Sequence, residues 1–102
     1  MESPECEWID RFVSHLAQER RLSGHTAAAY GRDLRTLAKF CTRRKIATWS
    51  DLDNAHLRAY AAAEHAGGLS PRSIQRRLSA VRTFYEFLMR EGASGRNPAQ
   101  GV

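Results

Sequence analysis

The chain has 102 residues, 42% of them hydrophobic, and 16 Lys and Arg against 11 Asp and Glu give it a formal charge of +5. This is one small domain with apolar content enough for its own core, which excludes a largely disordered chain, and two cysteines are too few for a disulfide framework. No apolar run approaches the length of a membrane span, the acidic start is unlike a signal or transit peptide, and there is neither a solenoid repeat nor a low-complexity tract.

Helical spacing recurs four times and sustained strand alternation never does, so the expected fold is an all-α bundle of four helices with no sheet. Ser3-Pro4 opens a first helix over about residues 4–21, with Trp8, Ile9, Phe12, Val13 and Leu16 on one stripe. Ser23 caps a second over about 24–44, where Ala27, Tyr30, Leu34, Leu37, Phe40 and Cys41 share a face. Cys41 serves there as a small hydrophobe, and reduced thiols fit a cytoplasmic setting. Ser50 with Asp53 reads as a capping box for a third helix over about 51–66, carrying Leu52, Leu57 and Tyr60 and ending at Gly67-Gly68. Ser70-Pro71 opens a fourth over about 71–91, with Ile74, Leu78, Val81, Tyr85, Leu88 and Met89 inward and Gly92 closing it. The domain would then be 1–92, and residues 93–102 read as a linker that leads elsewhere.

Charge alternates along these elements. Residues 1–22 carry net −2, residues 23–45 net +5, residues 46–68 net −2 and residues 69–102 net +4. Two basic helices separated by an acidic one predict a single electropositive face, the electrostatic form of a DNA-binding domain. On the second helix His25, Arg32, Arg35 and Lys39 fall outward, with Ala28 and Ala29 keeping the first turn slim. Thr26 lies where free backbone N–H groups and the helix dipole favour a phosphate. On the fourth, Arg72, Arg76, Ser79 and Thr83 stand opposite the apolar stripe, flanked by Gln75 and Arg82. Long donors among short hydroxyls suit a groove, because Arg reaches base edges or phosphates while Ser and Thr allow close approach.

At this point the residues resemble a known family. Leu22-Ser23-Gly24-His25-Thr26, with Tyr30 and Asp33-Leu34, resembles the opening of the second helix in the core-binding domain of tyrosine recombinases. Leu69-Ser70, Ser73-Ile74, Arg77-Leu78-Ser79-Ala80-Val81-Arg82, Phe84-Tyr85 and Leu88 resemble that domain's last long helix, and Asn97-Pro98-Ala99 its exit toward the catalytic domain. The match covers nearly the whole chain in the expected order and is nearest the Xer-type recombinases of bacterial chromosome dimer resolution. The resemblance implies a SAM-like four-helix bundle that forms half of a C-shaped clamp around duplex DNA, with the second and fourth helices toward the major groove. Carried over by position, Thr26, Ala28 and Ala29 would meet DNA from the second helix, and Arg72, Ser73, Arg76 and Ser79 from the fourth, with Arg76 the base reader. The implied partners are a recombination half-site, the catalytic domain of the same protein and a related recombinase protomer on DNA.

Catalytic chemistry is not expected within these residues. In the family the nucleophile is a tyrosine of the C-terminal domain, assisted by a His-x-x-Arg pair, and His56-Leu57-Arg58 is one residue short of that spacing. Tyr30, Tyr60 and Tyr85 all fall on apolar stripes, as core residues do. His15, His25, His56 and His65 have no ligand spacing with Cys or acid, so neither a metal nor another cofactor is expected. Two other functions fit a basic helical bundle: a stand-alone all-α transcriptional regulator, and an interaction module that docks an acidic protein.

Overall fold

The computed structural model describes residues 1–19 and 23–102. They form α1 (Ser3–Gln18), α2 (Gly24–Arg43), a short 3-10 turn (Trp49–Asp51), α3 (Asn54–Ala66) and α4 (Pro71–Arg90), with no strand among them. Four helices without a sheet is the architecture that the periodicity predicts. The helix ends follow local chemistry. Helix α2 closes on a paired motif in which Lys45 N–H donates to Thr42 O and Ile46 N–H to Cys41 O, at 3.2 and 2.9 Å. The same pairing closes α3 at Gly68 and α4 at Gly92, both with positive φ, whereas α2 makes the turn with Lys45 at φ 59°. A left-handed lysine is uncommon, and burial of Ile46 just beyond it holds the turn.

Three boundaries differ from the sequence expectation. Ser3 lies inside α1 instead of capping it; the N-cap position is Glu2, whose side chain makes no capping bond. Helix α1 ends at Gln18, and its expected last turn near Arg21 lies outside the described residues, as does Leu22. Helix α3 begins later than expected, because Asp53 rather than Ser50 is its cap. Asp53 Oδ1 accepts His56 N–H at 2.8 Å and His56 Nδ1 accepts Asp53 N–H at 3.1 Å, a reciprocal box one turn beyond the predicted one. Ser50 is occupied elsewhere, its hydroxyl donating to Ala93 O at 2.8 Å.

The displacement follows from Trp49, a core residue that the helical stripes did not reveal. Its indole Nε1–H donates to Glu5 O and its backbone N–H to Glu5 Oε1, both at 2.8 Å, while Tyr85 Oη–H donates to Trp49 O at 2.5 Å. Phe84 meets the indole edge-on at 5.0 Å between ring centres and also packs on Phe12 at 5.3 Å. Trp49, Phe12, Phe84 and Tyr85 are all at most 1% exposed. On α4 the buried arc includes Ala80, Phe84 and Phe87 beside the predicted Leu78, Val81, Tyr85 and Leu88, whereas Ile74 is half-buried. Met89, expected inward, is 44% exposed, because at 100° per residue it falls on the flank shared with Arg82 and Glu86. Helix α1 runs against α2 in the opposite direction, with Asp10 near Arg35 and Val13 over Gly31. A Cβ at Gly31 would lie 3.0 Å from a Val13 methyl, so the absent side chain sets how near the two helices come.

Residues 93–102 are not a free tail. Ser94, Pro98 and Ala99 are buried, Asn97 Nδ2 donates to Arg82 O at 3.2 Å, and Asn54 Nδ2 donates to Pro98 O and Gln100 O at 3.1 Å each. Where a linker was expected, these residues form a turn docked between the start of α3 and the middle of α4. Among the described residues no helix is long and apolar enough to cross a membrane.

Phe84 touches three aromatic neighbours with no exposed surface, so Phe84→Ala is expected to destabilise the fold by about 3–5 kcal/mol. Denaturant unfolding checks this as a lower midpoint. A second prediction concerns alkali. Burial pushes the Cys41 thiol from 9.0 up to about 12, and burial likewise lifts Tyr60 and Tyr85 above the ordinary tyrosine value of 10.0. The folded chain thus retains protons that the unfolded chain releases. Stability is full below about pH 9 and falls as pH rises from there toward 12, by up to about 1.4 kcal/mol per pH unit for each group. Cys41→Ala should delay the onset of that fall in unfolding curves taken across this range.

Candidate nucleic-acid interface

Helices α2 and α4 begin alike. Ser23 Oγ accepts Thr26 N–H at 3.1 Å and lies 3.0 Å from the Thr26 hydroxyl. Ser70 Oγ accepts Ser73 N–H at 3.2 Å, and its hydroxyl donates to Ser73 Oγ at 3.1 Å. Neither first turn contains an acid. The positive end of each helix dipole is therefore left without a local carboxylate, and both cap hydroxyl pairs are already bonded within the turn.

Along α2, His25, Ala28, Arg32 and Lys39 are exposed and Thr26 and Ala29 half-buried, which agrees with the outward row read from the periodicity. Arg35 is exposed but leans toward α1, its Nη2 donating to Asp10 Oδ1 at 3.2 Å. Both partners of that pair are more than half exposed, so it is worth little and readily opened. Along α4, Arg72 and Gln75 are exposed, while Ser73, Ser79, Arg82 and Thr83 are half-buried. Arg82 folds back along its own helix, Nη2 donating to Ser79 Oγ at 3.0 Å, and the Thr83 hydroxyl donates to Ser79 O at 3.0 Å. Ser79 is thus the meeting point of the outer row rather than a free hydroxyl.

Arg76 departs most from expectation. Sequence spacing points it directly away from Ile74 and Leu78, in a row flanked by Gln75 and Arg82. In the fold its Nε donates to Asp33 Oδ2 at 3.1 Å and its Nη2 to Asp33 Oδ1 at 3.0 Å, a two-pronged pair that joins α4 to α2. The carboxylate is 4% exposed and the Arg76 side chain 51%, so an interior acid holds a surface guanidinium. The hydrogen bonds to Asp33, and then its charge, hold the Arg76 guanidinium above its ordinary pKa despite some desolvation. Arg77, next along, turns inward. It is 18% exposed, pairs with Glu64, and its Nη1 donates to Tyr60 Oη at 3.4 Å. Its Nε lies 3.5 Å from Asp33 Oδ1, within ion-pair range, and has no hydrogen bond among the described residues.

Asp33 and Arg77 are the residues that the reading of helix faces missed. The available signal was that Asp33 is the one acid among six Lys and Arg over residues 23–45. A solitary acid amid that much base is a natural internal counter-charge. Tyr60 and Tyr85 are buried, as their positions on apolar stripes predicted, and Tyr30 is half-buried. Among the described residues no three His, Cys, Asp or Glu side chains gather as a metal would require.

The structure is a small all-α domain in which α2 and α4, each with an acid-free first turn, are joined by the Arg76–Asp33 pair. The model of the phage integrase N-terminal SAM-like domain matches residues 9–92, and the chain belongs to that family. It is 46% identical over 94 residues to the tyrosine recombinase XerC of Pseudomonas syringae pv. syringae, covering 92% of this chain and 31% of that protein. It is 44% identical to XerC of Pseudomonas fluorescens strain Pf-5 and 43% identical to XerC of Xanthomonas campestris pv. campestris, again over 92% of this chain and over 32% and 29% of theirs. The chain spans about a third of the length of these relatives. No solved structure matches it.

Removing Asp33 leaves Arg77 still paired with Glu64 and Arg76 half exposed, whereas removing Arg76 leaves the buried carboxylate facing only Arg77 Nε, which makes no hydrogen bond to it. Arg76→Ala is therefore expected to cost on the order of 3–5 kcal/mol, and Asp33→Ala distinctly less. Thermal unfolding of the two variants side by side checks the order.

Proposed function

We propose that this bundle is the N-terminal DNA-binding unit of a site-specific tyrosine recombinase of the Xer type, active in the cytoplasm in chromosome dimer resolution. It grips one half-site of duplex DNA through the outer faces of α2 and α4, forming half of a clamp whose other half is the catalytic domain. The observation that carries the proposal is the basic pair of helices joined through Asp33 and Arg76, in a chain of the integrase N-terminal family. Arg32, Lys39 and Arg72 supply phosphate contacts, aided by Arg35 once its exposed pair with Asp10 opens. The first turns, with His25, Thr26, Ala28, Ala29 and Ser73, admit the backbone and groove closely, because they carry short side chains and no acid. Arg76 meets a base edge, with Gln75, Ser79, Arg82 and Thr83 around it. Strand cleavage and rejoining belong to the catalytic domain, and a related protomer occupies the adjoining half-site.

Half of a clamp binds weakly and mainly through charge, so micromolar or poorer affinity is expected at physiological salt. If about four phosphates are neutralised, log K should fall with log salt with a slope near −3.5, from roughly −0.9 per phosphate. Fluorescence anisotropy of a labelled duplex across a salt series checks this. Lys39→Ala should weaken all duplexes equally and reduce the slope by nearly one unit. A flat salt dependence overturns the reading and would turn attention to a protein partner.

A further inference from the structure

The Asp33–Arg76 pair uses only one edge of the guanidinium. Nε and Nη2 form the side that faces Asp33, and the end formed by Nη1 with the second hydrogen of Nη2 has no protein partner among the described residues. That end belongs to a side chain which is half exposed, above a carboxylate that is almost wholly covered. The arrangement also limits net charge. Asp33 and Glu64 together face Arg76 and Arg77, two acids against two bases, whereas Arg32, Lys39 and Arg72 have no acid paired to them among the described residues. A guanidinium in a locally neutral cluster adds little to general attraction for phosphate. It keeps the directional part of its chemistry, two parallel N–H donors at fixed spacing.

We propose that Asp33 is a positioning residue for DNA specificity: it holds Arg76 so that the Nη1/Nη2 end is presented as a rigid two-donor fork to a guanine edge. This rests on the DNA-binding reading above and adds to it. A loose surface arginine must freeze several torsions when it meets a base; Arg76 has frozen them on folding, because the acid beneath it grips two of its nitrogens. The device requires a guanidinium. A lysine ammonium at the same position could pair with Asp33 and keep the charge, but it would have no second edge held in plane with the first.

The test uses this chain and a pool of duplexes carrying a randomised segment, from which the wild type selects its preferred sequence. Affinities for that duplex and for a scrambled one are then measured for the wild type, D33N, R76K, R76A and the D33N/R76A double variant, with circular dichroism to confirm folding. Each variant is expected to lower the ratio of preferred to scrambled affinity by about 5- to 150-fold. The loss should be confined to one base pair, with affinity for the scrambled duplex nearly unchanged in R76K and not lowered in D33N, where one offsetting acid is gone, and the double variant should be no worse than R76A. Full selectivity in R76K overturns the proposal, and so does a folded D33N that keeps selectivity or weakens both duplexes in proportion. Should D33N fail to fold, R76K decides alone, since its half-exposed site tolerates lysine. A wild type that binds duplexes with the expected salt slope but without preference overturns the positioning role alone; one that binds no duplex overturns the DNA reading itself.

Discussion

A carboxylate taken out of water has to be met by positive charge, and the way Asp33 is met organises this molecule. The two guanidiniums that meet it are consecutive on α4 and diverge, Arg76 to the surface and Arg77 to the interior, where Glu64 and Tyr60 of α3 receive it. One acid thereby links α2 to α4 and, through Arg77, both to α3. Such clusters are poor sources of net stability, because desolvating the charges consumes most of what their attraction returns. What the cluster supplies is geometry: it specifies which turn of α4 lies beside which turn of α2, and so how their outer faces combine into one surface.

The apolar core imposes a matching constraint from the other side. Trp49 is held by Glu5 of α1 and Tyr85 of α4, and its ring is packed edge-on by Phe84. The 3-10 turn that carries it is too short to be stable alone. It persists because three hydrogen bonds from distant elements converge on one residue. The docked segment around Asn97 and Pro98 closes this side of the bundle, bonded to the backbone of Arg82 on α4 and to the side chain of Asn54 on α3.

Within the candidate interface, exposure alone is a poor guide to which side chains are available. Arg72 and Lys39 stand clear, whereas Arg82 lies along Ser79, and Thr26 and Ser73 share hydroxyl bonds with their caps. The outer rows therefore combine exposed cations that have no acid partner among the described residues with a few donors whose direction is already decided. Arg76 is the clearest of the second kind.

Some of this was determined by the sequence alone. Caps at Ser23 and Ser70, the chain reversals at Gly68 and Gly92, the apolar stripes and the two basic faces arise from interactions between residues a few positions apart, which a helix with a fixed repeat brings together in any context. That is why four helices, no sheet and the outward rows of α2 and α4 were legible. Whatever depended on remote partners was not. Arg76 and Asp33 are 43 positions apart, Trp49 and Glu5 44, and Asn54 and Gln100 46. Spacing along one helix says which way a side chain points and nothing about what another helix brings to meet it. The tertiary structure alone decided that Asp53 rather than Ser50 starts α3, and that the arginine expected to point outward is held from beneath. In each case the local pattern allowed more than one outcome, and burial of a group from elsewhere in the chain selected one.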